Sequence, residues 1–319
     1  MSSSHLGIVW NPSKTEREDL EAALQRALED VPQDPRVSWF ETSEDDPGRA
    51  ATRQALDAGT DAVCAAGGDG TVRAVAECLA ESGDPAELVI LPLGTGNLLA
   101  RNLGVPLGDP AAAFRQAFTS ASRTIDIGWA EIALPTGVER HAFAVMAGFG
   151  IDAHMITETD DQLKNRAGWL AYIESLGRAL SASEVIDVDL ALDGGTPVRE
   201  QVHTAIVGNC GALQGGVTLL PDADPGDGEL DLLLLSAEGI GGWVDTFRNM
   251  AWDNGVKRLF TRGGSAESSE SAAHRRFTSL TLELAEPRVF EVDGDDLGET
   301  TRVEITVQPA ALRVRLVED

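Results

Sequence analysis

The sequence predicts an α/β unit with a parallel sheet followed by a mostly antiparallel β unit, on three observations. In the first third, short apolar runs alternate with stretches of helical period, as in a parallel sheet covered by helices. From about Ile125 the runs become short, rich in Val, Ile, Leu and aromatics, and several alternate with period two. The chain has 319 residues, roughly twice an average domain, so two domains are expected.

Taken in order, "HLGIVWNP" is a strand ending at Asn11-Pro12. Leu20, Leu24, Ala27, Leu28 and Val31 then recur at helical spacing, with Ser13 and Glu16 as a capping box. "RVSWFET" is a second strand, and a helix from about Pro47 to Ala58 stops at Gly59. "DAVCAA" is a third strand and runs straight into Gly67-Gly68-Asp69-Gly70-Thr71, after which Val72, Val75, Cys78 and Leu79 share one helical face. "ELVILPLGTGN" is a fourth strand that ends in another glycine loop, Gly94-Thr95-Gly96-Asn97. The later strands are "IDIGWAEIAL", "HAFAVMAGFGID", "EVIDVDLAL", "VHTAIVGN", "ELDLLLLS", "FTSLTLELA", "RVFEVDGD", "TRVEITVQP" and "ALRVRLVE". One helical stretch, Gln162 to Ala182, interrupts them, and the small polar segment "GGSAESSESAAHRR" reads as a loop. On that helix Trp169 and Tyr172 are assigned to packing ahead of an acyl-chain groove.

Charge excludes some partners. Lys and Arg total 25 against 52 Asp and Glu, a net charge of −27, which repels nucleic acid and anionic membrane surfaces alike. Only Lys14, Lys164 and Lys257 are lysines. Cys64, Cys78 and Cys210 are odd in number and far apart, which suits a reducing cytoplasm and suggests neither disulfides nor zinc. No apolar stretch reaches the roughly 18 residues of a spanning helix, and the N-terminal residues lack the basic start of a secretion signal. The five histidines show no metal spacing.

The glycine loops carry the chemistry. In a parallel sheet ligands sit beyond the carboxyl ends of the strands, where both loops fall together with Asn11-Pro12-Ser13. Glycine lets a phosphate approach backbone N–H groups, and the following helix end favours negative charge. Asp69 in such a loop is repulsive to a phosphate unless a divalent cation intervenes, which points to Mg²⁺-nucleotide chemistry. A plain tight turn is the alternative. There is no G-x-x-x-x-G-K-[ST], and Leu99 occupies the third glycine of a G-x-G-x-x-G, so neither common dinucleotide or Walker loop applies.

These motifs together resemble the diacylglycerol kinase catalytic family of lipid kinases, which includes sphingosine and ceramide kinases. The resemblance rests on "GGDGTV" at 67–72, "LPLGTGNLLARNLGVP" at 91–106, "IDIG" at 125–128, "FAVMAGFGIDA" at 143–153, "GNCGALQGGVTLLPDADPGDGELDL" at 208–232 and "VDGD" at 292–295. It implies a Rossmann-like, NAD kinase-like α/β domain over residues 1–124 and an antiparallel β-sandwich over 125–300, with about 301–319 returning to the first. It further implies phosphorylation of a lipid hydroxyl, diacylglycerol or a related alcohol, by Mg²⁺ATP, with transient peripheral contact with the membrane. By matching motif, the ATP contacts would be Asn11, Thr42, Gly67, Gly68, Asp69, Gly70, Thr71, Val72, Arg73, Gly94, Thr95, Gly96 and Asn97. Asp69 and Asp126 would stand in the active site, and Asp295 would be the general base. Asp227 would hold a structural Mg²⁺ by its side chain, flanked by Asp224 and Glu229 through backbone carbonyls.

The sequence departs from the family pattern twice. Leu98 follows Asn97 where many members have Asp, and Asp295 stands where the signature usually has Glu. Two further readings stay open. An NAD kinase-like enzyme shares the GGDGT loop, but the Asn-Glu pair that follows it in those enzymes is missing here. A non-catalytic nucleotide or lipid sensor would account for both departures. A homodimer is left open.

Overall fold

The computed structural model describes residues 5–29, 31, 35–150, 185–213, 218–236 and 272–316. Strands β1 (His5–Trp10), β2 (Arg36–Glu41), β3 (Ala62–Gly67) and β4 (Glu87–Pro92) pair in parallel in the spatial order β4-β3-β1-β2. β1, β3 and β4 are buried along their whole length. Strands covered on both faces need such unbroken apolar runs, which is why "AVCAAG" and "ELVILP" lack alternation.

Helices fill the connections: α1 (Arg17–Leu28), α2 (Arg49–Asp57), α3 (Asp69–Ser82), α4 (Leu98–Asn102) and α5 (Pro110–Thr119). α1 buries Leu20, Ala23, Leu24 and Ala27 and packs with α5, while α2 packs with α3. The expected capping box is not formed. Glu16 is the N-cap and no side chain caps it, because the Ser13 hydroxyl donates instead to Asn11 Oδ1, at 2.7 Å. α5 was not anticipated, although Asp109 caps it by accepting from Ala112 N, and Pro110 opens it.

The remaining strands are β5 (Ala121–Leu134), β6 (Gly137–Phe143), β7 (Met146–Phe149), β8 (Ile186–Leu192), β9 (Val198–Gly208), β10 (Leu230–Ser236), β11 (Ala272–Phe277), β12 (Ser279–Val292) and β13 (Asp295–Leu316). They pair antiparallel with one another. β11 corrects the reading of "GGSAESSESAAHRR" as loop throughout: its last residues form a ladder with β10, whose apolar "LDLLLL" supplies an edge that a polar sequence can still pair through its backbone. The helix expected from Gln162 to Ala182, with Trp169 and Tyr172, lies outside the described residues.

β13 joins the two parts. "TRVEITVQP" and "ALRVRLVE" form one strand, whose residues 303–307 lie between β12 and β5, and whose Val314 pairs in parallel with Leu88 of β4. Between Gln308 and Leu312 the register against β5 shifts, and Ala310 takes φ +49° at the jog. The described strands therefore form one continuous ladder rather than a parallel sheet and a detached sandwich. The packing still divides. One core gathers Ile8, Leu88, Phe114 and Trp129, and another Phe143, Leu232, Phe290 and Ile305.

Candidate active site

The parallel strands bring four connections to one edge of the sheet. Asn11 N donates to Ala66 O at 3.0 Å, Thr42 N to Trp10 O at 3.0 Å, and Leu93 N to Gly67 O at 2.8 Å. The two glycine loops touch: a Cβ placed on Gly94 would lie 2.7 Å from the Gly68 Cα, so glycine is required by this approach. Lys14, not singled out from sequence, stretches over the same point, its Cε 3.7 Å from where a Gly68 Cβ would be. No side chain caps the N terminus of α3, which begins at Asp69. Uncapped N–H groups beside a lysine, with only hydrogen where a Cβ would intrude, are the donor set that a triphosphate needs.

Asp69 Oδ2 accepts from Asn97 N at 2.9 Å and its Oδ1 from Leu98 N at 2.6 Å, so the carboxylate clips the first glycine loop to the second. Asn97 holds an αL backbone, φ +48°, and closes its own loop by accepting from Gly94 N and donating to Gly94 O. The loop expected to set Asp69 beside a metal and phosphates is thus also held together by that carboxylate. Val72, expected among the ATP contacts, is corrected. It is 8 % exposed within the core, and its N–H donates to Gly68 O at 3.0 Å as the first helical hydrogen bond, so it offers a ligand neither side chain nor donor. Thr71 and Thr42 are buried, Thr95 is exposed at the loop tip, and Gly70 faces open space.

The Asp126 carboxylate, expected in the active site, is held by backbone N–H groups. It is 2 % exposed, with Oδ2 accepting from Gly228 N and Oδ1 from Ala310 N, both at 2.7 Å. It fixes the jog of β13 against the 224–228 loop, a packing role that "IDIG" could not reveal because both partners are backbone groups far along the chain.

Around that loop, Asp224 accepts from Arg123 at 2.9 Å, Asp227 Oδ1 from Glu229 N at 3.0 Å, and Glu229 pairs with Arg276 at 3.2 Å. Among the described residues no three His, Cys, Asp or Glu side chains gather as a metal ligand set. The donor set fits a cation only in part. Asp227 Oδ2 is open except for Arg276 at 3.8 Å, whereas the Asp224 carbonyl accepts from Asp227 N at 3.3 Å.

The hairpin between β12 and β13 presents Asp295. Its two-residue turn, Asp293-Gly294, has φ +49° and +88°, the primed geometry that Asp-Gly favours. Asp295 Oδ2 accepts from an Nη of Arg73 on α3 at 2.5 Å. Asp293 was named only as part of a motif, yet its carboxylate accepts from Ala144 N, Val145 N and Met146 N, each at 2.9 Å. Its pKa is raised to about 6, because burial outweighs the three N–H donations and the Arg73 charge, which act to lower it. Asp293→Ala is expected to lower the unfolding free energy by about 2 to 4 kcal/mol, since buried N–H groups lose their acceptor and alanine disfavours this φ. Asp293→Asn, which keeps one acceptor and tolerates αL, is expected to lose less. Urea denaturation decides, and equal losses would remove the hydrogen bonds as the cause.

A cavity of ≈ 130 Å³ opens beside this hairpin, lined among others by Leu98, Met146, Phe149, Ile206, Leu219 and Asp293. Leu98 therefore faces the cavity with its side chain while its N–H is held by Asp69.

Comparison with known proteins places the chain. Residues 5–130 match the Diacylglycerol kinase catalytic domain, and residues 145–316 match the YegS C-terminal NAD kinase beta sandwich-like domain. The "Probable lipid kinase YegS-like" of Pseudomonas aeruginosa is 34% identical over 283 residues, 88% of this chain and 83% of that protein. A "Diacylglycerol kinase" of Mycobacterium tuberculosis is 29% identical over 259 residues, 80% and 77% of the two chains. A crystal structure of a diacylglycerol kinase from Bacillus anthracis shares the fold, with TM-score 0.68, 21% identity, and coverage of 98% and 97%. With these matches spanning both halves in order, the chain belongs to the diacylglycerol kinase family of lipid kinases, alongside the YegS-like members.

Proposed function

We propose that the protein transfers the γ-phosphoryl group of ATP to the hydroxyl of a lipid alcohol, diacylglycerol or a close relative. One observation carries this reading: the glycine-loop edge and the apolar cavity share a wall at Leu98, so a nucleotide and an aliphatic acceptor would meet there. The residues proposed for the triphosphate are Lys14, Gly68, Gly70 and Gly94, with Asn11, Thr42, Gly67, Thr71, Thr95, Gly96 and Asn97 shaping the loops around them. A divalent cation bound with the triphosphate supplies charge neutralisation, and Asp295 takes the proton of the acceptor hydroxyl. Leu98 in place of a carboxylate makes the acceptor side less polar, which favours an acceptor whose hydroxyl adjoins a hydrocarbon. The test is incubation with γ-labelled ATP and Mg²⁺, with diacylglycerol micelles, a total lipid extract or NAD in separate arms, read by mass spectrometry. Phosphorylated lipid is expected. Phosphorylation of NAD, or of nothing, would overturn the reading.

The cation expected at Asp227 is proposed as structural. Asp227→Ala is expected to lower Tm by a few degrees in millimolar Mg²⁺ and hardly at all in chelator, because binding to the native state alone stabilises it. Equal shifts in both buffers would refute a metal there.

A further inference from the structure

We propose that Arg73 is a positioning residue for Asp295 and not a nucleotide ligand; the inference rests on the reading of Asp295 as the proton acceptor. Arg73 lies in the second turn of α3, just after the glycine loop, where sequence alone places it among the ATP contacts. Its side chain is only 13% exposed, and its guanidinium is engaged by two carboxylates, Asp295 and Glu77. One Nη meets Asp295 Oδ2 at 2.5 Å, and the other lies 3.6 Å from Glu77 Oε2.

Glu77 is itself fixed. It is 6 % exposed, pairs with Arg49, and its Oε2 accepts from Ala142 N of β6 at 3.0 Å. A buried carboxylate held by a second arginine and a backbone N–H thus braces one side of the Arg73 guanidinium, and Asp295 is what the other side holds. One Nη meets Asp295 in a charge-assisted hydrogen bond, the stronger kind, which holds the carboxylate in place. Asp295 needs such a hold. It follows a two-residue turn, its side chain is 46% exposed, and it is one methylene shorter than Glu. A free aspartate there would sample rotamers that withdraw it from an acceptor hydroxyl, and a displacement of about 1 Å can cost 10²-fold in rate. Asp296, the neighbouring carboxylate, is spent on Gly298 N at 2.8 Å and offers no substitute.

The experiment compares the full chain with Arg73→Gln, Arg73→Lys, Asp295→Asn and the double variant Arg73→Gln/Asp295→Asn, measuring kcat, KM for ATP, and the affinity for a fluorescent ATP analogue without lipid. Arg73→Gln is expected to lower kcat by about 10- to 100-fold, with KM for ATP and analogue affinity within about twofold. Arg73→Lys is expected to recover part of the loss. The double variant is expected to be no slower than Asp295→Asn alone, since a positioning residue has nothing left to position. A tenfold weaker nucleotide affinity in Arg73→Gln, an unchanged kcat, or additive losses in the double variant would overturn the proposal while leaving Asp295 as the base. Wild-type turnover in Asp295→Asn, or a wild type that transfers phosphate to no acceptor, would instead overturn the reading beneath it.

Discussion

Asp295→Asn is expected to lower turnover by about 10²- to 10⁴-fold, with the affinity for ATP within about twofold of wild type. A general base has to come within about 2.6 to 3.2 Å of the proton it takes, directly or through one water. As the proposed base, Asp295 is positioned by an anchored hairpin rather than by a longer side chain. Asp293 sits in a cradle of three backbone N–H groups, and its own N–H donates to Met146 O at 2.8 Å, so the turn cannot slide along β7. The substitution to asparagine keeps volume and can still accept from Arg73, which confines the change to basicity. Asp295→Glu restores the usual family residue and is expected to retain or raise activity. If Asp295→Asn turns over like wild type, the base is another group. If the wild type is silent and Asp295→Glu is active, the chain is a former kinase.

The second large effect is expected at Asp69. Asp69→Asn is expected to reduce transfer by about 10²-fold or more and to weaken nucleotide binding as well. The amide side chain keeps one acceptor oxygen and turns an NH₂ toward a backbone N–H, so one of the hydrogen bonds to Asn97 and Leu98 is lost. Hydrogen bonds to a charged acceptor contribute about 1.5 to 3 kcal/mol each. Losing one lets the second glycine loop drift from the first. Asp69→Glu is not expected to rescue, because the added methylene moves the carboxylate off the Asn97 and Leu98 N–H groups that Asp69 meets at 2.9 and 2.6 Å. Steady-state kinetics together with nucleotide affinity separate this from a metal role, in which kcat would fall and affinity for metal-free nucleotide would hold.

Local rules reached much of this architecture. Unbroken apolar runs mark β1, β3 and β4, and the stop of α2 at the Ala58-Gly59 end follows from the positive φ of Gly59, +69°. The glycine loops were legible because their residue types are costly anywhere else. What escaped was non-local. Whether the Asp69 and Asp126 carboxylates meet a cation or a backbone N–H depends on strands and loops distant in sequence, as does the buried Asp293. β11 escaped for a related reason: "AAHRRF" has no strand signature of its own and takes its form from β10. Lys14 carried one unread signal, its rarity, as one of three lysines in a chain of net charge −27.

The course of β13 bears on the order in which the protein can be made. Leu88 of β4 has β3 on one side, and its other neighbour is Val314, which a ribosome supplies only after the entire second half has been synthesised. A nascent first half thus carries an apolar strand with one open edge through most of translation, the kind of edge that recruits wrong partners. Glu87, at the start of that strand, accepts from Ser122 and pairs with Arg313 and Arg315, so its charge also waits for the same late segment. The outer edge of β4 is therefore completed only once residues 312–316 have emerged.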